Sequence, residues 1–393
     1  MTEDLNSQKA KPEHTGAAAE PISNKIMPNE LTAWWDVTAL VRQPSGTTDE
    51  RAERDLKEAA ALLQSGKTVA FPTETVYGLG GDARRSDAVE SIFTAKGRPA
   101  DNPLIVHIAD RRQLDELVSG VKPVEAALMD AFWPGPLTLV LPVRPGVLSP
   151  RVTAGLDTVG IRMPDHPVAL RLLAVSGCPV AAPSANRSGR PSPTRASHVR
   201  EDLAGRIGGI LDGGPTGVGV ESTVVQAGDD GVVTILRPGG ITAEQLAAVA
   251  AAVETDPALA GSGPDEHSPA PRSPGMKYTH YAPRGRLCVV EGPSPQRVTD
   301  HIRAALAEAA ARGERTAVLA FDEHRSAYEG ERVYSLGSLA RLEEAAHRLY
   351  DVLRACDEDG AAFILSEACP QEGLGAAVMN RLLKAAGHEV VQA

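Results

Sequence analysis

The stretch Phe71-Pro-Thr-Glu-Thr-Val-Tyr-Gly-Leu-Gly80 is the most informative part of this chain. It continues the apolar run Thr68–Phe71 into a loop that carries two hydroxyls and a carboxylate. A second loop, Lys96-Gly-Arg-Pro-Ala-Asp-Asn102, stands just before another apolar run, Leu104–Ile108. Polar groups gathered where strands end, with cations among them, predict a site for an anionic small molecule.

Charge and composition limit the class of ligand. The 393 residues carry 40 basic and 51 acidic side chains, a formal net charge of −11, and only 4% are aromatic. A chain of that sign is a poor candidate for neutralising the phosphates of duplex nucleic acid, and few rings are present to stack on bases. We therefore expect weak or no direct nucleic-acid binding.

The cysteines and the hydropathy pattern indicate a cytoplasmic protein. No two of the four cysteines form a C-x-x-C pair, so metal and redox motifs are not indicated and the thiols are expected in the core. No apolar run reaches the roughly 18 residues that a membrane-spanning helix needs. The polar N-terminus lacks the apolar segment of a signal peptide.

The order of apolar runs predicts an α/β fold. Short runs bounded by Gly, Pro or charges predict strands at Thr68–Phe71, Leu104–Ile108, Leu137–Leu141, Val159–Met163, Val180–Ala182, Ile207–Leu211, Ser222–Gln226 and Val232–Leu236. Helical periodicity occupies Asp49–Gln64, Asp87–Ala95, Val124–Ala131 and His166–Val175. Some strands follow one another without a helix, which predicts a mixed sheet.

Composition divides the chain into four parts. Residues 1–48 are predicted to be a disordered tail and lead-in, and residues 49–254 a first α/β domain. Residues 255–285 are rich in proline and predict a linker, whose end carries more Tyr, His and Lys than a spacer needs. Residues 286–393 alternate strands and helices, which predicts a small, largely parallel α/β domain.

Two nucleotide-binding motifs match only superficially. Gly66-Lys-Thr68 resembles the end of a P-loop, but a strand follows it where a P-loop has a helix. Gly78-x-Gly80-x-x-Ala83 fits a loose dinucleotide pattern, but Pro72–Tyr77 separates it from the preceding strand. Neither motif predicts the fold that it normally marks.

Two loops combine residues suited to phosphate binding. Lys96 and Arg98 are two apart, so an extended backbone can present both cations to one ligand. Ala181-Ala-Pro-Ser-Ala-Asn186 repeats this spacing with Ser184 and Asn186. A solvated basic turn and an ordinary Ser/Pro loop are the alternatives that the sequence leaves open.

Further candidates lie near other predicted strands. Arg162 falls within an apolar run, Ser222 follows a glycine-rich stretch, and Arg237 closes a strand. Each could be an ordinary ion-pair residue, and His107 could be a core histidine satisfied by hydrogen bonds. No Ser or Cys nucleophile with a neighbouring His is evident, so the inventory suits a reaction in which the protein positions substrates and stabilises phosphate charge.

These motifs together resemble the YrdC-type threonylcarbamoyl-AMP synthases, in their long two-domain form. The resemblance rests on the segments Phe71–Gly78, Lys96–Arg98, Asn102–His107, Trp133–Thr138, Ala182–Asn186, Gly219–Thr223, Leu236–Gly239, Ser273–Pro283 and Gly373–Ala386. It implies an enzyme that condenses L-threonine, bicarbonate and ATP, with magnesium, into threonylcarbamoyl-AMP and pyrophosphate for tRNA modification. It also implies a twisted mixed sheet around a basic cavity, a C-terminal Rossmann-like domain, and a tRNA threonylcarbamoyl-transferase complex as a possible partner.

The resemblance also implies residue roles. The core nucleotide and phosphate set, expected to be catalytic, is Lys96, Arg98, Ser184 and Asn186. The remaining ATP contacts are Asn102, Thr158, Ser192 and Arg237, with Tyr281 of the linker motif folding back over the nucleotide. The threonine pocket is Thr75, His107, Arg162, Ala182 and Ser222, with Arg162 on the amino-acid carboxylate.

Two competing interpretations stand beside this one. The basic cavity could recognise RNA in a tRNA- or ribosome-associated factor, although the acidic balance and the few aromatics disfavour it. The same fold could also serve carbamoyl-adenylate chemistry in a hydrogenase-maturation type of enzyme. The chain lacks the acylphosphatase and zinc-finger-like segments that such an enzyme would carry.

Overall fold

The computed structural model describes residues 32–42, 49–259 and 280–393. These residues form an 11-stranded sheet and a 5-stranded sheet, with helices packed on both. Within the described ranges, no helix is both long enough and apolar enough to cross a membrane. The α/β fold class is as predicted.

The strands divide between the two sheets in chain order. The first sheet holds Ala33–Asp36 (β1), Val69–Phe71 (β2), Gly78–Asp82 (β3), Ile105–His107 (β4), Leu137–Pro142 (β5), Thr158–Arg162 (β6), Val180–Ala181 (β7), Gly209–Asp212 (β8), Thr223–Ala227 (β9), Val232–Arg237 (β10) and Ala252–Thr255 (β11). The second holds Arg286–Glu291 (β12), Thr316–Phe321 (β13), Val333–Gly337 (β14), Phe363–Glu367 (β15) and Val390–Gln392 (β16).

The α-helices are distributed in the same way. Those of the first unit are Ala39–Arg42 (α1), Glu50–Gln64 (α2), Ser86–Lys96 (α3), Leu114–Leu117 (α4), Pro123–Phe132 (α5), Pro150–Thr153 (α6), Pro167–Ser176 (α7), Ala196–Leu203 (α8) and Ala243–Ala247 (α9). Those of the second are Pro295–Ala311 (α10), Leu342–Glu358 (α11) and Gly375–Ala385 (α12). Short 3-10 helices occupy Arg111–Gln113, Pro257–Leu259 and Arg325–Tyr328.

The first sheet is mixed, as predicted. Its strand order is β1-β8-β2-β3-β7-β4-β6-β5-β9-β10-β11. β3 lies antiparallel to both β2 and β7, whereas β4 and β6 are parallel, with Ile105 opposite Gly160 and His107 opposite Arg162. This arrangement places β4 and β6 side by side at the centre of the sheet.

Strand β3 was not predicted, because its sequence Gly-Leu-Gly-Gly-Asp reads as a loop. The structure shows why glycine is required there. A Cβ on Gly80 would lie 2.8 Å from both the Phe71 ring and Val180 Cγ1. The strand is therefore built without side chains at positions where its neighbours fill the space.

Residues 33–42, for which the sequence predicted only a lead-in and no element, form a strand and a short helix. β1 pairs in parallel with β8 at the edge of the sheet, and Trp35 is buried against the core under α2. The alternation of Trp34 outside and Trp35 inside is a strand signal that the polar surroundings obscured. Residues 1–31 of the tail and 260–279 of the linker lie outside the described residues.

The second sheet is entirely parallel, in the order β14-β13-β15-β12-β16, as its alternating pattern predicted. Successive residues of β12 face opposite layers: Cys288 packs with α10, whereas Leu287 packs with α11 and α12. The α11 and α12 layer also contains Val76 and Val220 of the first unit. The two units therefore share one hydrophobic cluster.

All four cysteines are buried, and none forms a disulfide. The exposed thiol that a redox or metal role would need is absent from the described ranges. Burial raises the pKa of Cys356 and Cys369 to about 12, which keeps both thiols protonated. They act as small core residues, as predicted.

Candidate active site

A cleft lies over the central strands β4 and β6, under the loops that follow β2 and β7. It holds about 730 Å³ of space, part of it open to solvent. The sequence-predicted residues that line it are Thr75, Lys96, Arg98, His107, Arg162, Ala182, Ser184, Asn186, Ser222, Arg237 and Tyr281. Sequence segments as far apart as those of Thr75 and Tyr281 thus converge on one site.

The floor of the cleft comes from one face of two strands. Residues two apart on a strand share a face, so Ile105 and His107 of β4 lie beside Gly160 and Arg162 of β6. A Cβ on Gly160 would approach Thr138 to 3.2 Å. His107 and Arg162 are the last residues of these two parallel strands, so the prediction that polar groups meet where strands end holds for this pair.

The loop after β2 is a tight turn closed by its own hydroxyls. Thr73 Oγ1 donates to the Val76 carbonyl at 2.7 Å and lies 2.8 Å from Thr75 Oγ1. Backbone amides of Gly217 and Val218 donate to the carbonyl of Glu74 at 3.1 and 2.7 Å. These bonds fix the direction in which Thr75 faces the cleft.

Arg162 is buried and held from three sides. Its Nη2 forms an ion pair of 2.5 Å with Glu74 Oε1, its Nη1 donates to Thr75 Oγ1 at 3.0 Å, and its Nε donates to the Gly135 carbonyl at 3.3 Å. Glu74 was not singled out as a site residue from the sequence, although its place between two predicted hydroxyls was a usable signal. It orients the guanidinium from the side away from the cleft, since Glu74 itself does not line it.

Lys96 fastens the loop that follows β7. Its side chain is only 2% exposed, and Nζ donates to the carbonyls of Ser184 at 2.5 Å and Asn186 at 2.6 Å. Burial, together with the nearby cation of Arg98, lowers the pKa of Lys96 well below its ordinary value. An anion bound in the cleft would raise that pKa again, so ligand charge and Lys96 charge are coupled.

Arg98 and Asn102 lie on the loop that follows α3. Gly97 ends α3 in the left-handed conformation, φ 63°, and turns the chain so that Arg98 Nη2 reaches the Pro103 carbonyl at 3.1 Å. The Asn102 side chain is fully buried, and neither its oxygen nor its nitrogen has a hydrogen-bond partner within the described structure. Buried amides are rarely left unsatisfied, which favours a ligand contact nearby.

Ser184 and Asn186 are joined to each other. Ser184 Oγ donates to Asn186 Oδ1 at 2.6 Å, and Asn186 Nδ2 donates to the carbonyls of Arg187 and Arg190 at 2.8 Å each. The amide therefore fixes the loop, and the hydroxyl is placed at the cleft by the amide. Both residues were predicted, but their mutual contact was not.

Ser222 and Arg237 form the opposite wall. Arg237 Nη2 donates to the Ser222 carbonyl at 2.9 Å and to Ser222 Oγ at 3.2 Å, while Thr138 Oγ1 lies 2.8 Å from the same hydroxyl. Complete burial and the neighbouring cation of Arg381 lower the pKa of Arg237.

Three predicted residues, Asn102, Thr158 and Ser192, do not line the cleft. Asn102 sits behind Arg98, and Ser192 Oγ donates to Glu221 Oε1 at 2.6 Å, so Ser192 reaches the cleft through Glu221. Thr158 begins β6, on the same face as Arg162 but at the other end of the strand. Glu221 and His280 also line the cleft but were not singled out as site residues, although they lie in the motif segments Gly219–Thr223 and Ser273–Pro283.

Four buried histidines predict acid sensitivity. His107, His166, His198 and His280 are each at most 8% exposed, and burial lowers their pKa values to about 3, 4, 4 and 3. Below pH 6.5 the unfolded chain binds protons that the folded chain does not. The free energy of unfolding should therefore fall as the pH drops from 6.5 towards 4, by about 1.4 kcal/mol per pH unit for each histidine.

Urea unfolding at pH 7.5 and at pH 5.5 measures this effect. His166→Gln should reduce the difference between the two pH values, whereas the exposed His388→Asn should leave it unchanged. Equal stability of the wild-type protein at both pH values would contradict the assignment of neutral, buried histidines.

The fold and the cleft define an α/β protein whose cleft, lined by residues of both units, suits an anionic small molecule. Two family profiles match the chain. The first, described as "Telomere recombination", covers residues 61–239. The second, described as "Threonylcarbamoyl-AMP synthase, C-terminal domain", covers residues 241–387.

Two curated relatives and one solved structure extend the match over nearly the whole chain. The threonylcarbamoyl-AMP synthase of Bacillus subtilis is 53% identical over 88% of this chain and 97% of its own length. That of Pyrococcus abyssi is 46% identical over 87% and 97%. The crystal structure of P. abyssi Sua5 complexed with L-threonine superposes with a TM-score of 0.82 at 43% identity, covering 92% of this chain and all of that one. The chain belongs to the threonylcarbamoyl-AMP synthase family, as the motifs predicted.

Proposed function

We propose that this cleft condenses L-threonine, bicarbonate and ATP into threonylcarbamoyl-AMP with release of pyrophosphate. The observation that carries the proposal is the convergence of Lys96, Arg98, Arg162 and Arg237 on one cleft, in a chain whose relatives are named for that product. Buried cations with hydroxyls and amides between them suit a triphosphate and an amino acid held side by side.

The threonine end is assigned to the Arg162 side of the cleft. Arg162 would bind the carboxylate, and Thr75, His107, Ala182 and Ser222 would surround the rest of the amino acid. His107 Nδ1 is buried without a hydrogen-bond partner in the described structure, and burial lowers its pKa to about 3. The neutral ring suits a contact with the hydroxyl of threonine.

The nucleotide end is assigned to the loops around Lys96 and Ser184. Arg98 and Arg237 would offset the charge of the triphosphate, and Ser184 and Asn186 would fix its position, with Asn102, Thr158 and Ser192 supporting the outer contacts. Tyr281 is buried at the cleft and would cover the nucleotide. Its assignment to ATP rests on the family resemblance and on this location.

The chemistry needs no nucleophile from the protein. The threonine amine and bicarbonate give a carbamate and water, and a carbamate oxygen then attacks the α-phosphorus in line while pyrophosphate leaves. Positioning the reactants and stabilising charge on the transferring phosphoryl group are the two contributions that the lining residues can make.

Magnesium is expected to arrive with ATP. Among the described residues there is no group of three His, Cys, Asp or Glu side chains that could chelate a metal ion, and Glu221, the carboxylate of the lining, is taken up by an ion pair. The donor set therefore fits an ion whose ligands are phosphate oxygens and water, as Mg²⁺ prefers. When bound, the ion would neutralise phosphate charge.

Carbon-labelled bicarbonate tests the proposed co-substrate. Purified protein is incubated with ATP, L-threonine and ¹³C-bicarbonate, and the adenylate is identified by mass spectrometry. We expect one labelled carbon in threonylcarbamoyl-AMP. An adenylate without the label would identify another one-carbon donor, and an adenylate of free threonine would exclude carbamate formation. Location in the cytoplasm and delivery of the product to a tRNA threonylcarbamoyl-transferase complex stay predictions.

A further inference from the structure

The C-terminal unit reaches into the wall of the cleft through one buried ion pair. Arg381 of α12 is 0% exposed, and its Nε donates to Glu221 Oε2 at 2.8 Å. Glu221 belongs to the first unit and lines the cleft, so the pair joins the two units at the site itself. The two residues are 160 positions apart in the chain.

Glu221 is held in its charged form by these contacts. Burial alone would raise its pKa, but Arg381 and Arg237 and the hydrogen bond from Ser192 outweigh that effect and lower the pKa to about 2. Tyr350 of α11 adds a hydroxyl at 2.9 Å from Oε2. The carboxylate is thus a buried negative charge that faces a cleft suited to a triphosphate.

The Arg381 guanidinium also lies over the ring of Tyr281, the tyrosine of the linker motif. The Arg381 guanidinium carbon lies 5.7 Å from the centre of the Tyr281 ring, and the Tyr350 ring lies 5.3 Å from it on another side. Tyr281 has φ 68°, a left-handed conformation that a bulky residue keeps only when its surroundings hold it. Arg381 and Tyr350 therefore both lie against the ring of Tyr281.

Removing the Arg381 cation would leave the Glu221 carboxylate to repel the triphosphate. A buried carboxylate that loses its partner is strongly unfavourable. The other guanidinium whose charge lowers the pKa of Glu221 is that of Arg237, on the nucleotide wall. Without Arg381, Glu221 would repel the triphosphate and compete with it for Arg237.

We propose that Arg381 is a positioning residue for the reaction, supplied by the C-terminal unit, which neutralises Glu221 and holds Tyr281 so that the cleft accepts ATP. The inference rests on the proposed function and assigns part of the active site to the C-terminal unit. The threonine end, around Thr75 and Arg162, has no contact with Arg381 among the contacts observed. The effect should therefore fall on ATP.

Steady-state kinetics of Arg381→Met tests the proposal. We expect the KM for ATP to rise about tenfold or more, with the KM for L-threonine within about twofold of wild type. Arg303→Met, an exposed arginine on α10, is the matched control and should behave as wild type. An unchanged KM for ATP, or equal increases in both KM values, would overturn the proposal.

A second substitution separates charge from packing. Adding Glu221→Gln to Arg381→Met removes the carboxylate that repels the triphosphate, so the KM for ATP should return to within about threefold of wild type. A double variant as impaired as Arg381→Met would refute the role of charge. If Arg381→Met does not fold, Tyr350→Phe, which removes one hydrogen bond to Glu221, should raise the KM for ATP about threefold while the KM for threonine stays constant.

The wild-type protein in the same assay separates a failure of the proposed function from a failure of the proposed role of Arg381. If the wild type makes no threonylcarbamoyl-AMP, the proposed function is wrong. If the wild type is active and the KM for ATP of Arg381→Met equals that of the wild type, only the role of Arg381 is wrong.

Discussion

Arg98→Ala is expected to lower kcat/KM for adenylate formation by about 10³-fold, which corresponds to about 4 kcal/mol of transition-state stabilisation. Arg98 is half-buried at the mouth of the cleft, and its guanidinium is oriented by the Pro103 carbonyl at 3.1 Å. A planar cation in that position can follow the charge that develops on the phosphates as pyrophosphate leaves. Pyrophosphate release under saturating threonine and bicarbonate measures the loss.

The control for Arg98 is a surface arginine of equal charge. Arg112 is 88% exposed and pairs with Asp110, so Arg112→Ala changes the net charge equally without touching the cleft. It should retain wild-type turnover, and circular dichroism should show the same fold for both variants. Normal turnover of Arg98→Ala would remove Arg98 from the catalytic set.

Arg162→Ala is expected to raise the KM for L-threonine about 100-fold while the KM for ATP changes less than about threefold. The substitution removes a charge-assisted contact with the carboxylate, of about 2–3 kcal/mol. In the wild-type protein Glu74 lies 2.5 Å from the Arg162 guanidinium. The substitution leaves Glu74 as an uncompensated carboxylate at the threonine end. Both effects weaken the binding of the threonine carboxylate.

Two further variants isolate the cause. Arg162→Ala combined with Glu74→Gln removes the uncompensated charge and should recover part of the affinity for threonine. Arg237→Ala, on the nucleotide wall, should show the reverse order, with ATP affected more than threonine. If Arg162→Ala affects ATP more than threonine, Arg162 belongs to the nucleotide side.

The sequence predicted most strands of the first sheet, because each is a short apolar run between glycine, proline or charge, and it predicted the parallel α/β character of the second unit from its alternating pattern. It failed at β3, where glycines replace side chains so that Phe71 and Val180 can pack. It also failed at β1, a short edge strand embedded in a polar segment. In both places tertiary packing decided the structure, and local composition gave the opposite signal.

The candidate residues of the site were predictable because they stand in motifs, but their pairing was not. Lys96 bonds to carbonyls 88 and 90 positions away, Arg162 to a carboxylate 88 positions away, and Glu221 to Arg381 across both units. Such contacts depend on the strand order, which local sequence patterns do not reveal. The role of the C-terminal unit at the cleft became visible only once those partners were located.

Omission of single substrates tests the central claim most directly. Purified wild-type protein is given ATP with magnesium, and pyrophosphate release is followed with L-threonine and bicarbonate both present, with either one omitted, and with neither. We predict release only when both are present, because the attacking oxygen belongs to the carbamate that they form together. Release of equal rate without threonine would contradict the proposed reaction.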